Sequence, residues 1–217
     1  MSTEVCAPGG RRRIAGLVHF RDSGKRCCFN YTDHLDQLIR NWCSQYPELS
    51  HIDMDRVILS VARCRSGSGH GVYANITSLK FPFGPGKPNR ADRVCRWPKV
   101  TKNGCEALYL IRFYLPRFHN LSFEAKVTTI LHELYHIQPK FNGEFRNFGG
   151  KHWAHGPSQE AFDRMFAPLT REILKAGDPV CDLFLNCHFA ALLKRVGDVY
   201  GDRYSWVTSR DDMPVVS

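Results

Sequence analysis

The stretch SFEAKVTTILHELYHI, residues 122–137, decides how the rest of the chain is read. Val127, Ile130, Leu131, Leu134 and Ile137 recur at the three- and four-residue spacing that places apolar side chains on one face of a helix. Ser122 stands where an N-cap is needed. Glu124 falls in the first turn, where a negative charge suits the helix dipole, and Pro139 ends the pattern. Beside the apolar face lies the pentad His132-Glu133-Leu134-Tyr135-His136. Residues four apart on a helix sit one turn apart on one side, so both imidazoles can turn a nitrogen to one cation. Glu133, next to the first histidine, can reach a water at that cation and act as general base. The same pentad arises by chance in helices whose histidines cap or face solvent. The helical phase and the start and stop signals favour the metal.

A catalytic zinc commonly takes three protein ligands and leaves one position open. The extended pattern HExxHxxGxxH fails here, because Pro139 and Asn142 stand where glycine and histidine are required. The candidates lie downstream, in Lys151-His152-Trp153-Ala154-His155-Gly156. His155 precedes Gly156-Pro157, a turn that can aim it back at the first helix, and is the expected third ligand. His152 is an alternative ligand or a hydrogen-bonding neighbour. Glu160 is the carboxylate alternative, of the kind the gluzincins use. Tyr135, His152 and Arg146 are the candidates for stabilising an oxyanion.

This region also carries a family resemblance. HELYHI, followed by Pro139, Phe141, Gly143, Arg146 and the WAHG segment, resembles the phage metallopeptidase family, small minimal zincins of phages and bacteria. The VILSVARC strand, the strand around Ala74, LYLIRFYLPRF and Leu121-Ser122 match its layout, so the likeness covers about residues 31–170. The SprT-like proteases are more distantly similar, through a short HExxH helix and a later His-Gly. They often carry a zinc ribbon, which this chain lacks. The resemblance implies a zincin-like domain that cleaves a protein or peptide substrate, without naming it.

The 217 residues suit one domain, and 43% hydrophobic with 12% aromatic content can fill a core. No apolar run is long enough to cross a bilayer. The N-terminus MSTEVCAPGGRRR has no apolar segment of the secretory kind. Nine cysteines, an odd count without a secretory signal, argue for reduced thiols and a cytoplasmic setting, and the resemblance implies a bacterium or a phage-infected host cell. The formal charge of +9, read as spread along the chain, fits either ordinary solubility or attraction to nucleic acid. A basic nucleic-acid-associated module, or a domain in which zinc only holds the fold, are therefore the competing readings.

In order, residues 1–29 read as a flexible basic tail, residues 30–199 as the zincin-like metallopeptidase domain, and residues 200–217 as a C-terminal tail. Thr32 and Asp33 open a helix with Leu35, Leu38, Ile39 and Trp42 on one face, which Pro47 closes. Residues 56–62 and 72–77 read as strands and as hairpin partners. Residues 81–98, with four prolines and several basic residues, read as a long loop. Residues 107–115 form a third strand. Pro157 starts a helix that Pro168 kinks or ends, and a last helix runs from about Asp182 to Val199, packing His188 on its face. The fold class is α+β: a small mixed sheet of three to four strands, helices packed on one side, and the HExxH helix at its centre.

Overall fold

The computed structural model describes residues 16–20, 29–64, 71–80, 100–149, 155–177 and 184–207. In chain order these form β1 (Gly16–Phe20), β2 (Phe29–Asn30), α1 (Tyr31–Gln45), β3 (Val57–Arg63), β4 (Ala74–Ser78), β5 (Thr101–Lys102), β6 (Cys105–Glu106), β7 (Tyr109–Leu115), α2 (Phe123–Tyr135), α3 (Gln159–Ala176), α4 (Phe189–Val196), β8 (Val199–Tyr200) and β9 (Arg203–Val207). The architecture is α+β, as the sequence indicates.

The main sheet has three strands in the order β3-β7-β4. β7 runs parallel to β3 and antiparallel to β4. The expected hairpin between residues 56–62 and 72–77 does not form, because β7 lies between them. The reason is burial. Along YLIRFYL five of seven residues are buried, on both faces, so this strand takes the centre. β3 is buried for its first five residues, and β4 is left as an edge.

One face of the sheet presents Val57, Leu59 and Val61 with Tyr109, Ile111 and Phe113 to the main core. α1 and α2 cover it, and Leu35, Leu38, Ile39 and Trp42 of α1 are all within 1% of full burial. Asn30 caps α1, accepting from the backbone amides of Thr32 and Asp33, so the helix opens at Tyr31, earlier than Thr32. On the opposite face Ile58, Leu79, Ala107 and Leu110 form a smaller cluster with Val100 and Tyr204. Tyr204 is pinned there: its N–H donates to Ser60 Oγ at 3.2 Å, and its carbonyl accepts from Arg112 Nη2 at 2.8 Å.

Both chain ends read as tails contribute strands. β1 pairs antiparallel with β9, and β2 pairs parallel with β8. α3 runs through Pro168 without stopping. Both Pro168 and Arg164, whose carbonyl loses its helical donor, are exposed, so water can replace the missing bond. Ser158 caps α3, which puts Pro157 just outside it. The last helix is shorter than expected, starting at Phe189, and His188 is its exposed N-cap residue rather than a packed histidine. The proline-rich segment and His152 lie outside the described residues.

Candidate metal centre

α2 follows its sequence closely. Ser122 Oγ accepts from Ala125 N at 3.2 Å, and Val127, Ile130, Leu131, Leu134 and Ile137 are completely buried. Burial of that face fixes the rotation of the helix and turns the flank carrying His132, Glu133 and His136 toward β4. The helix ends at Tyr135, and His136 is its C-cap. The chain then folds back. Ile137 bridges Phe145, and Arg146 N donates to His136 O at 2.8 Å. Gly143, at φ +93°, is required in this turn: a Cβ there would lie 2.9 Å from Lys80 Cβ.

His155 arrives from the other side. Gly156 takes φ +67°, Ser158 caps α3, and α3 packs on α2. The three histidines converge. His132 Nε2 is 3.1 Å from His155 Nε2 and 3.2 Å from His136 Nε2, and the three ligand atoms lie within 4.8 Å of one another. Phe162 of α3 fits among the rings, stacked on His136 at 4.8 Å and edge-on to His132 at 5.0 Å and His155 at 5.3 Å.

Protonation suits ligation. Burial, with His132 and His155 as neighbours, drives His136 down to about 3, and burial also lowers His155. Asp163 Oδ1 is 2.7 Å from His132 Nδ1. A proton held on Nδ1 by that carboxylate leaves the Nε2 lone pair for a cation. Three nitrogen lone pairs facing one point repel each other unless a cation sits between them. Ligands about 2.0–2.1 Å from a tetrahedral zinc lie about 3.3 Å apart, close to the separations of His132 Nε2 from its two neighbours, so these residues could hold such an ion.

Glu133 is 6% exposed. Burial pushes its carboxyl up to about 8, against the opposing effect of a hydrogen bond from the Ile76 backbone N–H. It faces a cleft of about 690 Å³, which the histidines, Glu133, Asp163 and β4 line.

Among the other candidates, Glu160 is exposed and stands outside the histidine group. Tyr135 and Arg146 pair with each other, the guanidinium 4.7 Å over the ring, and neither lines the cleft. Asp163 was not among the sequence candidates. An aspartate early in a helix resembles a solvated charge, and only the docking of α3 on α2 brings it to His132. Phe162 serves both core and site.

No helix among the described residues is long and apolar enough to cross a membrane. No curated protein and no solved structure matches the chain. The family model described as "Putative phage metallopeptidase" matches residues 29–168, a span that holds all three histidines, Glu133 and Asp163. This chain therefore belongs to the phage metallopeptidase family.

Proposed function

We propose that the protein is a zinc-dependent peptidase in which His132, His136 and His155 hold the metal and Glu133 is the general base. The observation that carries this reading is the convergence of three imidazoles beside a buried carboxylate, with His132 Nε2 at 3.1 Å from His155 Nε2 and 3.2 Å from His136 Nε2 and all three ligand atoms within 4.8 Å of one another. When bound in such a site, Zn²⁺ acidifies water and polarises a carbonyl. The chain's residues do the rest. Asp163 fixes the His132 ring, and Phe162 limits the play of all three rings. Glu133, held by the Ile76 N–H, takes a proton from water and delivers it to the leaving amine. The substrate is a protein or peptide, and β4 supports an extended strand at the cleft by backbone pairing.

The test is cleavage of a quenched peptide library by zinc-loaded protein, chelated protein and the Glu133→Gln variant. Cleavage that chelation abolishes, zinc restores and Glu133→Gln lacks despite full metal content is the expected result. Unchanged cleavage by Glu133→Gln would remove Glu133 as the base, and metal without cleavage would return the domain to a structural role for zinc.

A further inference from the structure

Among the described residues, the edge of β4 is closed at both ends and open only in the middle. Tyr114 N donates to Tyr73 O at 2.9 Å and Leu79 N donates to Leu108 O at 2.8 Å, so the odd-numbered residues pair with β7. Antiparallel alternation then turns the backbone groups of Ala74, Ile76 and Ser78 outward. At the Ser78 end a turn covers the edge: Ser78 Oγ donates to Gly143 O at 2.6 Å, and Tyr109 Oη donates to Glu144 O at 2.7 Å. At the other end Arg117 Nη1 donates to Val72 O at 3.1 Å. An incoming strand therefore has a window around Ala74 and the Ile76 carbonyl, with Arg117 at its limit.

Arg117 has more to give than it uses. Nη1 makes its hydrogen bond to Val72 O, and no ion pair among the described residues involves the guanidinium. The guanidinium lies against Gly71, a cleft residue: a Cβ there would come within 2.5 Å of Arg117 Nη1. The acidic groups lining the cleft among the described residues are Glu133 and Asp163, with no lysine or arginine, and Arg117 adds a cation beside the Gly71 end. Val72 is four residues from Ile76, where Glu133 is held, or roughly 13 Å along an extended strand at about 3.3 Å per residue.

We propose that Arg117 is a specificity-determining residue: it binds a carboxylate carried by the substrate three to five residues from the bond cleaved. The inference rests on the peptidase reading, because it needs an extended peptide in this cleft. A guanidinium without a carboxylate partner at the closed end of a strand-binding window selects an acidic side chain or a chain-terminal carboxylate over a neutral group.

The test uses peptides with a hydroxamate at one end, which chelates the metal and fixes the starting point, and a single Asp or Asn at successive positions along the peptide. Binding to zinc-loaded protein is measured for wild type, Arg117→Ala and Arg117→Lys, beside thermal melts. The expected result is about tenfold tighter binding of Asp over Asn at three to five residues from the hydroxamate, in one chain direction. That preference falls below twofold in Arg117→Ala, survives in part in Arg117→Lys, and weakens with salt. A flat Asp profile, or the same profile in a folded Arg117→Ala, overturns the proposal while leaving the peptidase reading intact. Hydroxamates that fail to bind at all overturn both.

Discussion

Asp163 Oδ1 lies 2.7 Å from His132 Nδ1, a carboxylate on α3 holding an imidazole on α2 from behind. The contact fixes which nitrogen of His132 is free and which way its ring points. Asp163→Ala is expected to weaken zinc affinity about 10–100-fold while the protein stays folded, since the Asp163 side chain is 33% exposed. Asp163→Asn should lose less, because the amide oxygen still accepts from Nδ1–H. Competition with a chromophoric chelator measures both. Equal affinity in wild type and Asp163→Ala would show that the metal needs no such support.

Lys126 is the buried lysine of α2, 1% exposed, with Nζ donating to Leu185 O at 2.6 Å and to Cys187 O at 2.7 Å. Burial lowers its ammonium to about 8. The contact ties the segment before α4 to the metal helix. Lys126→Met removes both bonds and leaves the Leu185 carbonyl buried without this donor, so a loss of about 2–4 kcal/mol in urea unfolding is expected. A loss under about 0.5 kcal/mol would mean that the carbonyls find water.

His119 gives the fold a defined acid limit. It is completely buried between Tyr31 Oη, 2.9 Å from Nδ1, and Cys187 Sγ, 3.7 Å from Nε2, with Lys126 and His188 adding positive charge nearby. Burial first, then those charges, lower it from 6.5 to about 3. Between these values the unfolded chain binds the proton and the folded chain does not, so stability rises with pH and is lost as pH falls from about 6.5 toward 3. The slope is on the order of 1.4 kcal/mol per pH unit. Denaturant unfolding at pH 6.5, 5.5 and 4.5 checks it, with His119→Gln flattening this part of the dependence. An unchanged slope in that variant would assign acid sensitivity to other groups.

The metal helix was readable residue by residue because its phase, cap and stop are local properties of residues 122–139. His155 was readable from a Gly-Pro turn ahead of a helix. Strand order was not, since the choice of β7 as the centre depends on both of its faces being covered, by α1 and α2 on one side and Tyr204 on the other. Asp163 and Arg117 were hidden for a related reason: each acquires its role only when a distant element arrives, α2 for the one and the start of β4 for the other. The charge was misread as evenly spread. Residues 1–28 hold six basic and two acidic side chains, and residues 81–99 hold five and one, so these two stretches account for nearly all of the excess. Both lie mostly outside the described residues.

The central claim is that one cation is shared by His132, His136 and His155. Metal analysis of purified wild type beside His132→Ala and His155→Ala tests it most directly. The account predicts about one zinc per chain in wild type and near-complete loss in each variant, with melting showing that the variants remain folded. Full zinc in a folded His155→Ala would contradict it and transfer the third ligand to another residue.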